Sequence, residues 1–333
     1  ITGRSTDADL VWPTRGAVTP KLFDMTCRFE GEAVAAVAAE TPYQARDALQ
    51  TIAVEYEVLP FISDERDALT DDAPKVHEEG NLAREPEVYE RGDLEAGFAA
   101  ADVILEQTYR TEAELHTPME LHGCVAGWDG DRLTIWESTQ GVYAVQSQVA
   151  ETLGLPLSKV RVIGHYMGGG FGAKLETGKY TVMAALMSRM AARPVKLFLP
   201  REDCFTVTGN RPGNTMTVKI GAKSDGTLTA IDYHSLGTAG AYRYGAGTSA
   251  QAAYLYTCPN MRTEDISVYT NTGKSRPMRA PGFPQCAWAL EQTMDELAAK
   301  LGKDPVEFRL QNLLTELQVE GGRPFTSNQL AAC

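Results

Sequence analysis

The chain has 333 residues, of which 43% are hydrophobic and 23% charged, so it is long enough for two domains or for one large domain with a buried core. Its formal net charge of −13 argues against binding to nucleic acid, which requires clustered Lys and Arg. No apolar run approaches the length of about 20 residues that spans a bilayer. The first ten residues also lack the pattern of a secretory signal. We therefore expect a cytoplasmic protein without a membrane span.

The first part of the chain, residues 1–62, reads as a small α+β unit. The pattern predicts a strand over 33–38, a helix over Pro42–Gln50 with proline in its first turn, and a strand over 52–58. Residues 63–91 are rich in Asp, Glu, Pro and Gly and show little periodicity, which is typical of a linker. We expect a second domain over 92–333.

The second part of the chain carries two hairpin signals, Asp129-Gly130 and Asp225-Gly226, each between alternating runs. Helical patterns follow, including two helices separated at Gly302. Strands and helices are interleaved without a regular strand–helix alternation, which favours an α+β fold.

A glycine run, "GHYMGGGFGAK" at 164–174, lies between a strand pattern and a helical pattern. Glycines in this position let a phosphate approach the backbone N–H groups. The nucleotide-triphosphate pattern G-x-x-x-x-G-K-[ST] fails because Leu175 follows the lysine. A dinucleotide pattern can be forced onto the run from Gly168, but the acidic residue expected about 20 positions later is missing. A glycine turn that only packs against its neighbours stays open.

Two further stretches could belong to the same site. "STQG" places Gln140, an uncharged amide, at the end of a hairpin strand, and "SRPMRAPGFPQ" at 275–285 places Arg279 in a loop rich in proline and glycine. These groups suit a large, oxygen-rich anionic cofactor. No helical pattern carries paired His, Glu-x-x-His or clustered Cys, so such a cofactor is expected to bring its own metal ligands.

Taken together, "STQ", "GGGFGAK", "MRAPGFPQ" and "DELAAKLGKDPVEFRLQNLL" resemble the molybdenum-binding subunit of the xanthine dehydrogenase and aldehyde oxidase family. "GEAVAAVAAETPYQARDALQTIAVEYEVLP" resembles the last part of the hammerhead domain of that family. The resemblance covers nearly the whole chain, with the motifs in the family's order. It implies a partial α/β-hammerhead domain followed by a first molybdopterin-binding domain of mixed sheets and helices.

The resemblance also implies a site. In this family a pterin dithiolene holds molybdenum, and the protein surrounds the metal without ligating it. Gln140, Phe171 and Arg279 would lie around the metal. The implied cofactor-binding positions are Gln140, Gly169, Gly170, Phe171, Gly172, Arg279 and Ala280.

The implied chemistry is hydroxylation of a carbon centre with oxygen from water, coupled to two-electron reduction of the metal. The family's base is a glutamate in a second molybdopterin-binding domain, so no catalytic residue is assigned in this chain. We expect a split subunit or a fragment that is inactive alone. Glu137, Glu176 and Glu202 flank the motifs, but carboxylates beside loops are usually solvated. His116, His122 and His165 are interpreted as structural residues.

Three positions bear on the substrate. The purine-oxidising members of the family have a glutamate, an arginine and a phenylalanine where this chain has Leu175, Gly247 and Pro281. Arg243 lies close to Gly247, so whether an arginine is missing at the second position stays open. The resemblance therefore favours an aldehyde or an aromatic or heteroaromatic substrate, with a xanthine or purine dehydrogenase subunit as the alternative. The loop at 275–285 around Arg279, called the arginine loop below, has no cysteine. This disfavours the branch of the family that oxidises carbon monoxide.

The six cysteines include no C-x-x-C pair, and no flavin motif is apparent. We therefore expect [2Fe–2S] and FAD on partner subunits, a further chain with the second molybdopterin-binding domain, and a dimer of such heteromers. The cytosine dinucleotide form of the pterin is expected. Two other hypotheses stay open: a non-catalytic homologue whose glycine loop only packs, and a nicotinamide-dependent dehydrogenase.

Overall fold

The computed structural model describes residues 1–5, 10, 20–242, 245–316, 318 and 324–333. The helices in these ranges are α1 (Pro42–Gln50), α2 (Leu94–Ala99), α3 (Val142–Thr152), α4 (Lys179–Ala191), α5 (Arg201–Thr206), α6 (Phe283–Leu301) and α7 (Pro305–Gln311). The strands are β1 (Glu87–Arg91), β2 (Val103–Thr111), β3 (Gly123–Asp129), β4 (Arg132–Glu137), β5 (Val160–Ile163), β6 (Val195–Phe198), β7 (Asn214–Ala222), β8 (Leu228–Gly240) and β9 (Asn260–Tyr269). Within these ranges, no helix is long and apolar enough to cross a bilayer.

The strands form two sheets, one of five strands in the order β1-β9-β8-β7-β2 and one of four in the order β5-β4-β3-β6. Both predicted hairpins are confirmed: β3 pairs with β4 and β7 with β8, both antiparallel. Gly130 and Gly226 take positive φ values of 57° and 93° in the two turns, which explains why glycine is needed there. The fold is α+β, as predicted.

Each sheet has its own hydrophobic core. Helices α3 and α4 pack with the four-stranded sheet around Leu133, Ile135 and Val182. Helix α6 packs on the five-stranded sheet around Ile220, Met216 and Leu290. The separation of α6 from α7 is confirmed, because Gly302 ends α6 in the left-handed conformation and Asp304 caps α7.

Two strand pairs are parallel, β4 with β5 and β8 with β9. The chain leaves parallel strands at the same edge of a sheet, so the segments that follow such a pair begin side by side. Gln140 follows β4 and the glycine run follows β5. The segment containing Gly247 follows β8, and the arginine loop follows β9.

The N-terminal predictions are partly wrong. Helix α1 is confirmed, and Thr41 and Gln44 form a capping box at its start. No strand is present at 33–38, where Ala35 makes only an isolated bridge to Thr2, or at 52–58. Strand propensity reflects packing against neighbouring strands, and no described strand lies beside these segments.

The segment predicted as a linker, 63–91, packs against the second domain. Ala68, Val76 and Ala83 are buried in a small core with Val268 and Tyr269 of β9. Strand β1 also lies in this segment and pairs with β9. The boundaries of the domains, at 62 and 92, stay predictions.

Candidate cofactor site

Gln140 and the glycine run are joined by hydrogen bonds at the edge where β4 and β5 end. The Oε1 atom of Gln140 accepts from the backbone N–H of Gly172 at 2.8 Å and from that of Lys174 at 3.3 Å. The backbone N–H of Gln140 donates to the carbonyl oxygen of Lys174 at 2.8 Å. Because Oε1 is engaged with the loop, the Nε2 group of Gln140 is the part of the amide that remains to donate to a ligand.

The glycines of the run are needed by the contacts around them. A Cβ atom at Gly170 would lie 2.5 Å from Oε1 of Gln140. A Cβ at Gly172, where φ is 113°, would overlap the carbonyl oxygen of Pro277. Phe171 lies between them in the left-handed region at φ 53°, with 47% of its surface exposed. The loop is therefore close-packed on its inner side and exposes its phenylalanine.

The arginine loop lies against the glycine run. The backbone N–H of Arg279 donates to the carbonyl oxygen of Phe171 at 2.9 Å. Ala280 has a positive φ of 58°. The side chain of Arg279 is exposed and makes no hydrogen bond or ion pair with the described residues. The guanidinium group of this loop is thus left available for a ligand.

Buried donors hold the arginine loop from behind. The Nη2 group of Arg211 donates to the carbonyl oxygens of Met278 and Arg279 at 2.8 and 2.9 Å. The Nε2 group of His116 lies 2.7 Å from the carbonyl oxygen of Pro277. Burial lowers the pKa of His116, so the ring is neutral and donates from Nε2. His116 thus contacts the loop that carries Arg279, and its interpretation as a structural residue stays a prediction.

The residues present fit an oxygen-rich anionic group. The backbone N–H groups of Gly169, Gly170, Phe171 and Ala280 donate no hydrogen bond within the described part of the chain, and neither does Nε2 of Gln140. These donors and the Arg279 guanidinium can bind oxygen atoms. Among the described residues, no three His, Cys, Asp or Glu side chains are grouped to hold a metal ion. The roles of the individual residues stay predictions.

Of the three substrate positions, Gly247 and Pro281 lie on adjoining loops. A Cβ atom at Gly282 would lie 3.1 Å from the carbonyl oxygen of Gly247. Leu175 instead lies beside Gly141, next to Gln140, and is 39% exposed. Arg243 lies outside the described residues.

The carboxylates and histidines that flank the motifs differ in their burial and in their partners. Glu137 is buried and burial raises its pKa to about 8, with Oε1 accepting from the hydroxyls of Thr181 and Tyr180. Glu137 thus faces the core, and the solvated interpretation of this residue is wrong. Glu176 lies near Lys274 and Arg276. His122 is also buried, and burial lowers its pKa to about 3.

A separate cavity of about 310 Å³ lies behind the glycine run. Its walls include Ala173, His122, Lys179 and Tyr242, whereas Gln140 and Arg279 are not among them. The predicted cofactor positions therefore lie outside this cavity.

Sequence reasoning missed an ion pair beside the site, in which a buried lysine meets a partly exposed carboxylate. Lys174, the last residue of the glycine run, has 1% of its surface exposed, and its ammonium group lies 3.1 Å from the carboxylate of Glu120. The two residues are 54 positions apart in the chain. Lysine at the end of a glycine run was a visible signal, but its partner could not be predicted from the local pattern.

Comparison with known proteins identifies two family models along the chain. A molybdopterin cofactor-binding domain matches residues 76–313. The a/b hammerhead domain of aldehyde oxidase and xanthine dehydrogenase matches residues 6–60.

The chain is similar to relatives with several named activities. It is 37% identical over 299 residues to the nicotinate dehydrogenase large molybdopterin subunit of Eubacterium barkeri, covering 88% of this chain and 70% of the relative. It is 36% identical over 295 residues to the xanthine dehydrogenase molybdenum-binding subunit of Escherichia coli O157:H7, covering 87% of this chain but only 39% of the relative.

Solved structures agree with these matches. The aldehyde oxidoreductase of Desulfovibrio gigas superposes with a TM-score of 0.81 at 29% identity, covering 88% of this chain and 33% of that chain. The chain thus spans well under half of this structure and of the xanthine dehydrogenase relative. By its sequence and its fold, the chain belongs to the molybdopterin cofactor-binding family of the aldehyde oxidase and xanthine dehydrogenase type.

Proposed function

We propose that the chain forms one side of the cofactor site of a molybdenum hydroxylase. The observation that carries the proposal is the meeting of three predicted cofactor segments. Gln140 accepts from the N–H of Gly172, and the carbonyl oxygen of Phe171 accepts from the N–H of Arg279. An amide, free backbone N–H groups and a guanidinium are thereby held in one surface, as an anionic pterin cofactor requires.

When bound, the cofactor supplies the chemistry of carbon hydroxylation with oxygen from water and accepts two electrons. The chain's own contribution is binding and orientation. Gln140 Nε2 and the N–H groups of Gly169 and Gly170 would donate to oxygen atoms, and Arg279 would balance negative charge. The proposal places the catalytic base in a second molybdopterin-binding domain. Glu137 is unsuited to that role because it lies in the core.

The proposal includes partners and a location. Electrons must leave the cofactor, and four of the six cysteines, Cys124, Cys204, Cys258 and Cys286, are buried singly. We infer separate subunits with [2Fe–2S] and FAD, a chain with the second molybdopterin-binding domain, and a cytoplasmic dimer of these heteromers. The cytosine dinucleotide form of the pterin is part of the same proposal.

An aldehyde or an aromatic or heteroaromatic compound is the proposed substrate. Leu175 and Pro281 offer no charge to a purine, and a Cβ at Gly247 would lie 2.8 Å from the carboxylate of Asp265. The alternative, a purine substrate, is supported by the name of the xanthine dehydrogenase relative. Leu175→Glu in the complete enzyme separates the two: it should raise kcat/KM for purines relative to aldehydes, and a wild-type preference for xanthine would overturn the assignment.

The nicotinamide hypothesis is disfavoured by the glycine run itself. The N–H of Gly168, the first glycine of the forced fingerprint, donates to the carboxylate of Glu120 at 2.7 Å. The N–H group that the fingerprint would direct at a pyrophosphate is therefore already engaged within the protein. Helix α4 also begins at Lys179 and not directly after the glycines.

Metal analysis of the purified complex tests the proposed function. We expect about one equivalent of molybdenum per chain in the wild type, and a lower content in Gln140→Ala because an amide donor to the cofactor is lost. A folded complex without molybdenum would overturn the proposal in favour of a non-catalytic homologue.

A further inference from the structure

The Lys174 side chain is buried and fully hydrogen-bonded. Its Nζ group donates to Ser138 Oγ at 2.7 Å, to the carbonyl oxygen of Glu120 at 3.0 Å and to Oε2 of Glu120 at 3.1 Å. The ammonium group has three protons, and three acceptors surround it. The side chain itself is 0% exposed.

The Glu120 carboxylate joins the two ends of the glycine run. Its Oε2 atom accepts from the N–H of Gly168 at 2.7 Å and from the hydroxyl of Ser138 at 2.5 Å, besides binding Lys174. Gly168 and Lys174 lie on either side of the loop residues 169–173, of which Phe171 is exposed. One carboxylate therefore holds the loop at both ends and ties it to Ser138, two residues before Gln140.

The main chain of Lys174 reaches Gln140 directly. Its N–H donates to Oε1 of Gln140 at 3.3 Å, and its carbonyl oxygen accepts from the N–H of Gln140 at 2.8 Å. Thr139 Oγ1 donates to the same carbonyl oxygen at 3.1 Å. Lys174 thus holds the segment 138–140 through its side chain at one end and its backbone at the other.

Burial of an ammonium group is costly, because it gives up its hydration. A methionine of similar length could fill the same space without this cost. An ion pair in such a place contributes geometry that an apolar side chain cannot, namely fixed directions for three hydrogen bonds. Because the pair lies between the glycine run and the segment of Gln140, its directed hydrogen bonds hold these two segments against each other.

We propose that Lys174 is a positioning residue of the cofactor site, acting through Glu120 and Ser138. It fixes the glycine run against the segment of Gln140, so that the Gln140 amide and the loop N–H groups keep one relative arrangement. This inference rests on the proposed function for its purpose, although the loop geometry can be measured whether or not molybdenum is present.

The test is Lys174→Met in the complete enzyme complex, with Lys159→Met as the matched control. Lys159 precedes β5 and pairs with the exposed Asp131 at 2.6 Å, away from the loop. Hydrogen exchange at Gly168 and Gly172 should become about tenfold faster in Lys174→Met, since hydrogen bonds that hold both amides are weakened. The control should leave exchange at these amides unchanged.

A double-mutant cycle separates positioning from general destabilisation. Lys174→Met should lower molybdenum content and alter the molybdenum(V) resonance spectrum, whereas in a Gln140→Ala background the same change should have much less effect. Equal effects in the two backgrounds would overturn the proposal.

Unchanged exchange at Gly168 and Gly172 would also overturn it. A wild-type complex without molybdenum would contradict the proposed function but would not decide the role of Lys174. The hydrogen-exchange measurement would still show whether Lys174 holds the loop.

Discussion

The two parallel strand pairs deliver their loops to the same site but hold them in opposite ways. After β4 and β5, protein acceptors bind backbone N–H groups: Glu120 binds that of Gly168, and Gln140 binds that of Gly172. After β9, protein donors bind backbone carbonyls, with Arg211 on those of Met278 and Arg279. The glycine run is thus held near its ends, and the N–H groups in its middle are free, whereas carbonyl oxygens of the arginine loop accept from a buried cation, Arg211. Both arrangements leave donors for an anion.

The largest expected effect breaks the contact between the two loops. In Gly172→Ala, the new methyl group would overlap the carbonyl oxygen of Pro277 at a residue with φ 113°. We expect a loss of about 5 kcal/mol in the free energy of unfolding, with loss of the cofactor. Gly130→Ala is the control: φ is positive there as well, but nothing lies within 4 Å, so about 1 kcal/mol is expected. Equal costs in urea unfolding would contradict this account.

Glu137 is the last residue of β4, at the end of the parallel β4–β5 pair. Its folded-state pKa of about 8 lies above the ordinary glutamate pKa of 4.5, so the stability that this group contributes is fully present below pH 4.5 and is lost as the pH rises through 8. Between pH 5 and pH 8 the decrease attributable to this group is roughly 4 kcal/mol. In Glu137→Gln the decrease between pH 5 and pH 8 should shrink, as measured by chemical denaturation. An identical pH profile in the variant would show that the carboxyl ionises freely in the folded protein.

Arg211→Met tests the arginine loop. The change leaves the carbonyl oxygens of Met278 and Arg279 without donors, for an expected cost of about 2 kcal/mol and reduced molybdenum content. Arg309→Met is a control, since Arg309 pairs with Glu291 and Asp295 away from the site. The control should lose stability but keep its molybdenum. Equal molybdenum losses would indicate that Arg211 only stabilises the fold.

His116→Gln is expected to have the smallest effect, under about 1 kcal/mol, if the glutamine amide replaces the Nε2–H donor to Pro277. His116→Ala should cost more, because the carbonyl then loses its donor. Thermal unfolding of the two variants at pH 7 measures the difference. A glutamine variant as unstable as the alanine variant would show that ring packing outweighs the hydrogen bond.

Local features of the fold could be predicted from sequence, and long-range ones could not. The turns at Gly130 and Gly226 and the cap of α7 depend on residues a few positions apart. The parallel pairing of β4 with β5 depends on a crossover through α3, which the sequence pattern does not encode. Segments 33–38 and 52–58 have strand composition, but composition does not supply a partner strand.

The candidate site shows the same limit. Gln140, Phe171 and Arg279 could be predicted as site residues because each lies in a recognisable motif. Glu120 has no such motif around it, and its role depends on a lysine 54 residues away. Glu137 also looked like a solvated carboxylate, since the sequence does not reveal that Thr181 and Tyr180 cover it.

The hydrogen bond from Arg279 N–H to Phe171 O joins a segment that follows the four-stranded sheet to one that follows the five-stranded sheet. The site is therefore a seam between two layers, each with its own core. A small sliding of one sheet over the other would separate the two loops while both cores stayed intact, so the protein could lose its cofactor geometry long before it unfolds.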